Sequence, residues 1–186
     1  MPVDSRPALA TDLVLVADSV RSIFNIGSLM RLADALGASL VTTGFAPHPP
    51  HDELGLSQIL PDHRPSWEQQ AIATKLQKTA LSGYQPLLRS ERQSYFSELS
   101  AAINWLRAAD YTIVGVELMP EAIDYREYAW PKRVALILGH EIAGLEGVED
   151  DLIEQFVALP MLGDGGSLNV AQAAAAIGYA YLGKHG

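Results

Sequence analysis

At 186 residues the chain has room for a single domain, 1–186, with a sizeable core, and not for two comfortable ones. Apolar residues make up 48% and charged residues 19%, which argues against long disorder, and the absence of cysteine excludes disulfides, thiolate metal sites and cysteine nucleophiles. The net charge of −9 opposes nucleic-acid binding by the chain as a whole, yet six basic residues against three acidic ones between 64 and 107 leave room for a local basic patch.

In chain order, the opening MPVDSRPALATD shows no basic region followed by an apolar run, and no uncharged apolar stretch reaches the ~18 residues of a membrane span. A soluble, cytoplasmic protein is expected. LVLVA (13–17) reads as a buried strand by length and flanks. IGSLMRLADALGA (26–38) carries Ile26, Leu29, Met30, Ala33 and Leu36 at helical spacing, with Gly37 as the stop. LVTTGF (40–45) is a second strand, and 46–66, with five prolines, is a loop. WEQQAIATKLQKTALSG (67–83) reads as a helix, and YQPLLR (84–89) as an edge or irregular strand because of Pro86. YFSELSAAINWLRAAD (95–110) is an amphipathic helix. YTIVGVE (111–117), VALILG (134–139) and FVALP (156–160) are further strands, followed by an alanine-rich last helix.

Strands alternating with helices predict an α/β domain with a mainly parallel sheet and helices on both faces. In such sheets ligands sit beyond the carboxyl ends of strands. Three unusual loops fall there, after 13–17, after 134–138 and after 156–160.

The first is NIGSLMR (25–31), where Asn25 can cap the helix and Arg31 lies one to two turns further along. The second is LGHEIAGLE (138–146), with Glu141 in a turn between Gly139 and Gly144, able to accept backbone N–H bonds or orient an arginine. In the third, VALPMLGDGGSLNV (157–170), glycines free backbone groups at the start of a helix, with Ser167 suited to cap it and Asn169 a weak helix former inside the first turn. Each has a plainer reading as a capped helix or a strand-to-helix turn. Neither a dinucleotide fingerprint nor an NTP phosphate loop is present, since G-x-G-x-x-G and G-K-[ST] are both missing. His48, His51 and His63 lack acidic or cysteine partners at metal spacing, so no metal is expected. Trp67, Trp105 and Trp130 sit in apolar contexts that favour the core over base stacking.

Taken together, NIGSLMR, LGHEIAGL and LPMLGDGGSLNVAQAAAAI resemble, in order and spacing, the motifs of the SpoU/TrmH branch of the SPOUT RNA methyltransferases. PHPPH, KTALSG and VGVELMPEAIDYREY extend the resemblance over most of the chain. Two departures stand out: residues 52–75 look inserted, and His140 and Ile142 replace the small or amide residue and the glycine often found beside the motif glutamate.

The resemblance implies a C-terminal trefoil knot, an exception to unknotted topology. It also implies an obligate homodimer, S-adenosylmethionine as cofactor, and methyl transfer to a ribose 2′-hydroxyl of RNA, most often tRNA. Backbone groups around Leu138, Gly139, Leu159, Met161 and Leu168 would hold the adenosine, with Val116, Glu117 and Ser167 lining the same pocket. Arg31 matches the family's catalytic arginine. Because guanidinium stays protonated in proteins, its role would be to fix RNA phosphate and stabilise the developing 2′-oxyanion. Ser167, Asn169 and Asn25 would orient the hydroxyl and the arginine, and Glu141 would hold its loop. The alternative from a different class is a non-catalytic, cofactor-binding knot protein serving as an RNA-binding or assembly factor.

Overall fold

The computed structural model describes residues 9, 11–46, 92–140, 142–145, 148 and 151–185. The inserted stretch 52–75, the helix expected over 67–83, the strand over 84–89, Glu141, Trp67, His48, His51 and His63 lie outside the described residues.

The described residues build one sheet from β1 (Leu13–Asp18), β2 (Ser39–Thr43), β3 (Gln93–Phe96), β4 (Thr112–Val116), β5 (Ile123–Asp124), β6 (Val134–Leu138) and β7 (Gln155–Ala158). Its order is β3-β2-β1-β6-β4-β7-β5, and every adjacent pair is parallel. All carboxyl ends therefore open on one edge. β1 and β6 lie side by side at the centre, Leu15 against Leu136 and Val16 against Ile137.

Central strands of a parallel sheet are buried on both faces, which is why β1 and β6 are written as unbroken apolar runs. Alternate residues serve opposite layers. Leu13, Leu15, Ala17, Leu136 and Leu138 pack with α1 (Ile23–Ala35) and the C-terminal helix α3 (Val170–His185). Val14, Val16, Ala135 and Ile137 pack with Ala102, Ile103 and Leu106 of α2 (Leu99–Arg107). Each fully buried leucine or isoleucine here contributes roughly 1.5–3 kcal/mol relative to exposure. None of the helices described is long and apolar enough to cross a membrane.

Several local expectations shift. α1 begins at Ile23 rather than residue 26, because Ser22 is its N-cap and accepts from the Asn25 N–H at 3.4 Å. Asn25 is thus inside the first turn and is not the cap. α1 closes where expected, with Gly37 at φ +63. Tyr95 and Phe96, expected in a helix, belong to β3 because Thr42 and Thr43 of β2 offer them a parallel partner. The helix behind them, α2, is shorter than expected and starts only at Leu99. The two-residue β5, which pairs with β7, was not legible as a strand. Of the tryptophans, Trp130 is buried and Trp105 packs against Phe96 with ring centroids 5.3 Å apart, as core residues should.

Candidate functional site

The loops leaving β1, β4, β6 and β7 meet at the carboxyl edge, and the N-termini of α1 and α3 come together there. Asn169, not Ser167, caps α3: its Oδ1 accepts from the N–H groups of Ala171 (3.0 Å) and Gln172 (3.3 Å). The helix starts at Val170, one residue after it. With its oxygen turned to the helix, the Asn169 amide must point its Nδ2 outward, where it donates to Asn25 Oδ1 at 3.0 Å. Two asparagines 144 residues apart in sequence thus join the first and last helices. Arg31 stands further along α1, exposed to solvent.

Beside this bridge, Val116, Glu117, Leu118, Ala158, Leu159, Met161, Ser167, Leu168 and Ala173 line a cleft of about 380 Å³, its open mouth included. Six of the residues named from sequence for the cofactor, namely Val116, Glu117, Leu159, Met161, Ser167 and Leu168, fall in this lining. Leu138 and Gly139 do not. Leu138 is buried within the sheet, and Gly139 is packed so closely on Gly144 that a Cβ would run into the Gly144 carbonyl. Sequence reasoning missed Leu118, Ala158 and Ala173, which are chain neighbours or helical neighbours of residues it named.

Residues 160–168 belong to no helix or strand, and all but Met161 are exposed, so their peptide groups are open to a ligand. Large apolar side chains are exposed as well: Leu162 is 100% and Ile142 91% exposed. Phe24, at the start of α1, is 78% exposed.

The turn after β6 is tightly built. His140 and Gly144 exchange backbone bonds of 2.9 and 2.8 Å. The His140 Nδ1 accepts from the N–H groups of Ile142 (3.1 Å) and Ala143 (3.2 Å), so its proton sits on Nε2. An amide oxygen at this position could accept the same bonds, which makes the departure at His140 chemically mild. Glu117 Oε2 accepts from the Leu145 N–H at 3.0 Å.

Of the six basic residues between 64 and 107, Arg64, Lys75, Lys78 and Arg89 lie outside the described residues. Arg92 pairs with Asp34 at 2.8 Å and Arg107 donates to the carbonyls of Asp151 and Leu152. Among the described residues no group of three or more histidine, aspartate or glutamate side chains is placed to hold a metal.

Comparison with known proteins fits this architecture. The model of the SpoU rRNA Methylase family matches residues 61–179. A protein of Staphylococcus haemolyticus, named as a TrmH family tRNA/rRNA methyltransferase, is 27% identical over 166 residues, 89% of this chain and 56% of its own length. The chain therefore spans about half the length of the curated relatives it matches. The SpoU methyltransferase AviRb of Streptomyces viridochromogenes superposes with a TM-score of 0.68 at 25% identity, covering 99% of this chain and 65% of that one. AviRb has also been solved with AdoMet. A chain from structural work on 2-OH methylation of C/U34 on tRNA shares the fold, with a TM-score of 0.65 at 24% identity, 91% of this chain and 93% of that one.

Proposed function

The chain belongs to the SpoU rRNA Methylase family, and from that premise we propose that it is a cytoplasmic enzyme transferring a methyl group from S-adenosylmethionine to a ribose 2′-hydroxyl of RNA, with tRNA ahead of rRNA as substrate. The observation that carries the reading is the Asn25–Asn169 bridge standing beside an open cleft at the carboxyl edge of a parallel sheet.

The cleft suits an adenosyl group. Val116, Leu159 and Leu168 offer apolar walls to a flat base, and Glu117 sets a negative charge beside a cofactor that carries a sulfonium and an ammonium. When bound, S-adenosylmethionine supplies a methyl group electrophilic enough to need no further activation. The chain's own residues have the harder task of bringing a weakly acidic hydroxyl into line. Ser167, at the mouth of the cleft, can hydrogen-bond that hydroxyl. Asn25 and Asn169 fix α1 against the cleft and so fix where Arg31 is carried. The Arg31 guanidinium, always protonated, binds phosphate and stabilises the developing oxyanion, and the hydroxyl proton leaves to solvent water at the open mouth of the cleft as the methyl group passes from sulfur to oxygen.

An overall charge of −9 leaves RNA recognition to local surface. The exposed side chains of Phe24, Ile142, Leu162 and Tyr179 support a homodimer that covers them and doubles the RNA-facing area. In the same reading the segment after β7 closes a trefoil knot, and Glu141 holds its loop.

The test is transfer of labelled methyl groups from S-adenosylmethionine to tRNA or rRNA, with digestion to nucleosides and mass analysis. A 2′-O-methylated nucleoside is expected. Binding of cofactor without transfer to any RNA would select the non-catalytic alternative.

A further inference from the structure

We propose that Glu117 is a positioning residue: its carboxylate locks the turn leaving β6 onto the strand exit of β4, and the cleft keeps its ligand-binding shape only while that lock is closed. This rests on the cofactor reading above and assigns Glu117 a role that sequence gave to Glu141.

Glu117 follows β4 directly, and its own N–H donates to the Val157 carbonyl of β7 at 3.1 Å. Its two carboxylate oxygens then divide. Oε1 accepts from the Leu118 N–H at 3.0 Å, and Oε2 accepts from the Leu145 N–H at 3.0 Å. One residue thereby touches the exits of β7, β4 and β6, three neighbouring strands. Bonds of a carboxylate to backbone N–H groups are charge-assisted and about twice as strong as neutral ones.

The neighbouring sequence is shaped around this contact. Gly144 sits at φ +59, and a Cβ there would overlap Glu117 Oε2, so both conformation and space demand glycine. Leu145 is itself buried among Val16, Ile137 and Ile153 on the α2 side of the sheet. The far side of the turn is closed on itself by His140. Glu117 is the side chain that ties this turn to the wall of the cleft, which the same residue lines. Because Glu117 also lines the cleft, the experiment separates the lock from a direct ligand contact.

The lock makes a specific demand on chemistry. Two N–H donors need two acceptor oxygens, and glutamine has one. In Glu117→Gln, the amide NH₂ must face one of the two N–H groups, which breaks one side of the lock. Wild type, Glu117→Gln and Gly144→Ala are compared by amide hydrogen exchange and by titration with S-adenosylhomocysteine. Both variants are expected to exchange the Leu145 amide at least about tenfold faster and to bind S-adenosylhomocysteine about tenfold more weakly. Amides of α3 should keep their protection, which shows that the fold survives. In methyl transfer, the KM for S-adenosylmethionine should rise while kcat at saturation holds. Gly144 does not line the cleft, so its agreement with Glu117→Gln would place the effect in the turn.

Weaker binding by Glu117→Gln with unchanged Leu145 exchange would overturn the proposal in favour of direct contact. Faster exchange with unchanged affinity would overturn it by separating the turn from the cleft. Absence of S-adenosylhomocysteine binding in wild type would instead sink the cofactor reading, with the exchange arm still deciding whether Glu117 holds the turn.

Discussion

The two ends of α3 are built on opposite plans. At its N-terminus, residues 162–169 are all exposed, and the described tie to α1 is the Asn25–Asn169 hydrogen bond. At its C-terminus, Tyr181 lies edge-on to Trp130 (centroids 6.2 Å apart) and Tyr128 edge-on to the same indole (4.8 Å). Tyr181 donates to the Lys132 carbonyl, the Trp130 Nε1 donates to the Tyr125 carbonyl at 3.2 Å, and His185 Nε2 stands 3.0 Å from the Trp130 carbonyl. Between the ends, Ala174 and Ile177 are buried, and Gly178 lets Leu36 approach. One helix therefore carries stability at one end and exposed polar chemistry at the other, and each end can be damaged separately.

The largest expected effect is at the aromatic end. Tyr181→Ala removes a buried ring and a satisfied hydroxyl and should cost about 3–5 kcal/mol in denaturant unfolding. S-adenosylhomocysteine affinity, measured where the variant is still folded, should stay near the wild-type value. A matching fall in affinity would show that the two ends are not independent.

The converse change is Asn169→Ala. Loss of an N-cap costs only about 1 kcal/mol, so the unfolding midpoint should move little. Methyl transfer should drop about a hundredfold, the scale for removing one group that organises a reacting oxygen. A variant with full activity would leave the asparagine bridge as helix architecture alone.

The smallest effect lies away from both ends. Asp124 is held down to about 2 by the side-chain hydrogen bond from Arg126 and by the Arg126 backbone N–H. Because its folded value is depressed, any stability it contributes is present above the ordinary aspartate range, ~3.9, and is lost as pH falls through about 2. A carboxyl-resolved NMR titration should show the low midpoint, and Arg126→Ala, which removes the guanidinium but keeps the backbone N–H, should raise it part of the way towards the ordinary range. Because Arg126 is exposed and the pair sits at the protein surface, neither change should shift unfolding noticeably.

The comparison also shows where sequence is a sufficient guide. The alternation of strands and helices predicted a parallel sheet covered on both faces, and the strands that precede the three unusual loops do end at one edge. Capping was harder. Ser22 and Asn25 are both residue types that cap well, as are Ser167 and Asn169, and the local pattern alone does not say that Ser22 takes the role in α1 and Asn169 in α3. Tyr95 and Phe96 look helical until a neighbouring strand claims them. Leu138 and Gly139 were named from the resemblance, as backbone groups at the start of LGHEIAGL, and a side-chain lining of the cleft does not include them. The lock formed by Glu117 was invisible: it joins residues 28 apart through a turn whose closeness depends on Gly144.

The measurement that bears most directly on the central claim uses Arg31→Ala beside wild type, with S-adenosylhomocysteine binding and methyl transfer to RNA followed on the same preparations. Wild type should do both, while the variant should bind the cofactor product with nearly unchanged affinity and transfer no methyl group. Parallel loss of binding and transfer in the variant would contradict the division between a cofactor cleft and a separate oxyanion-stabilising arginine.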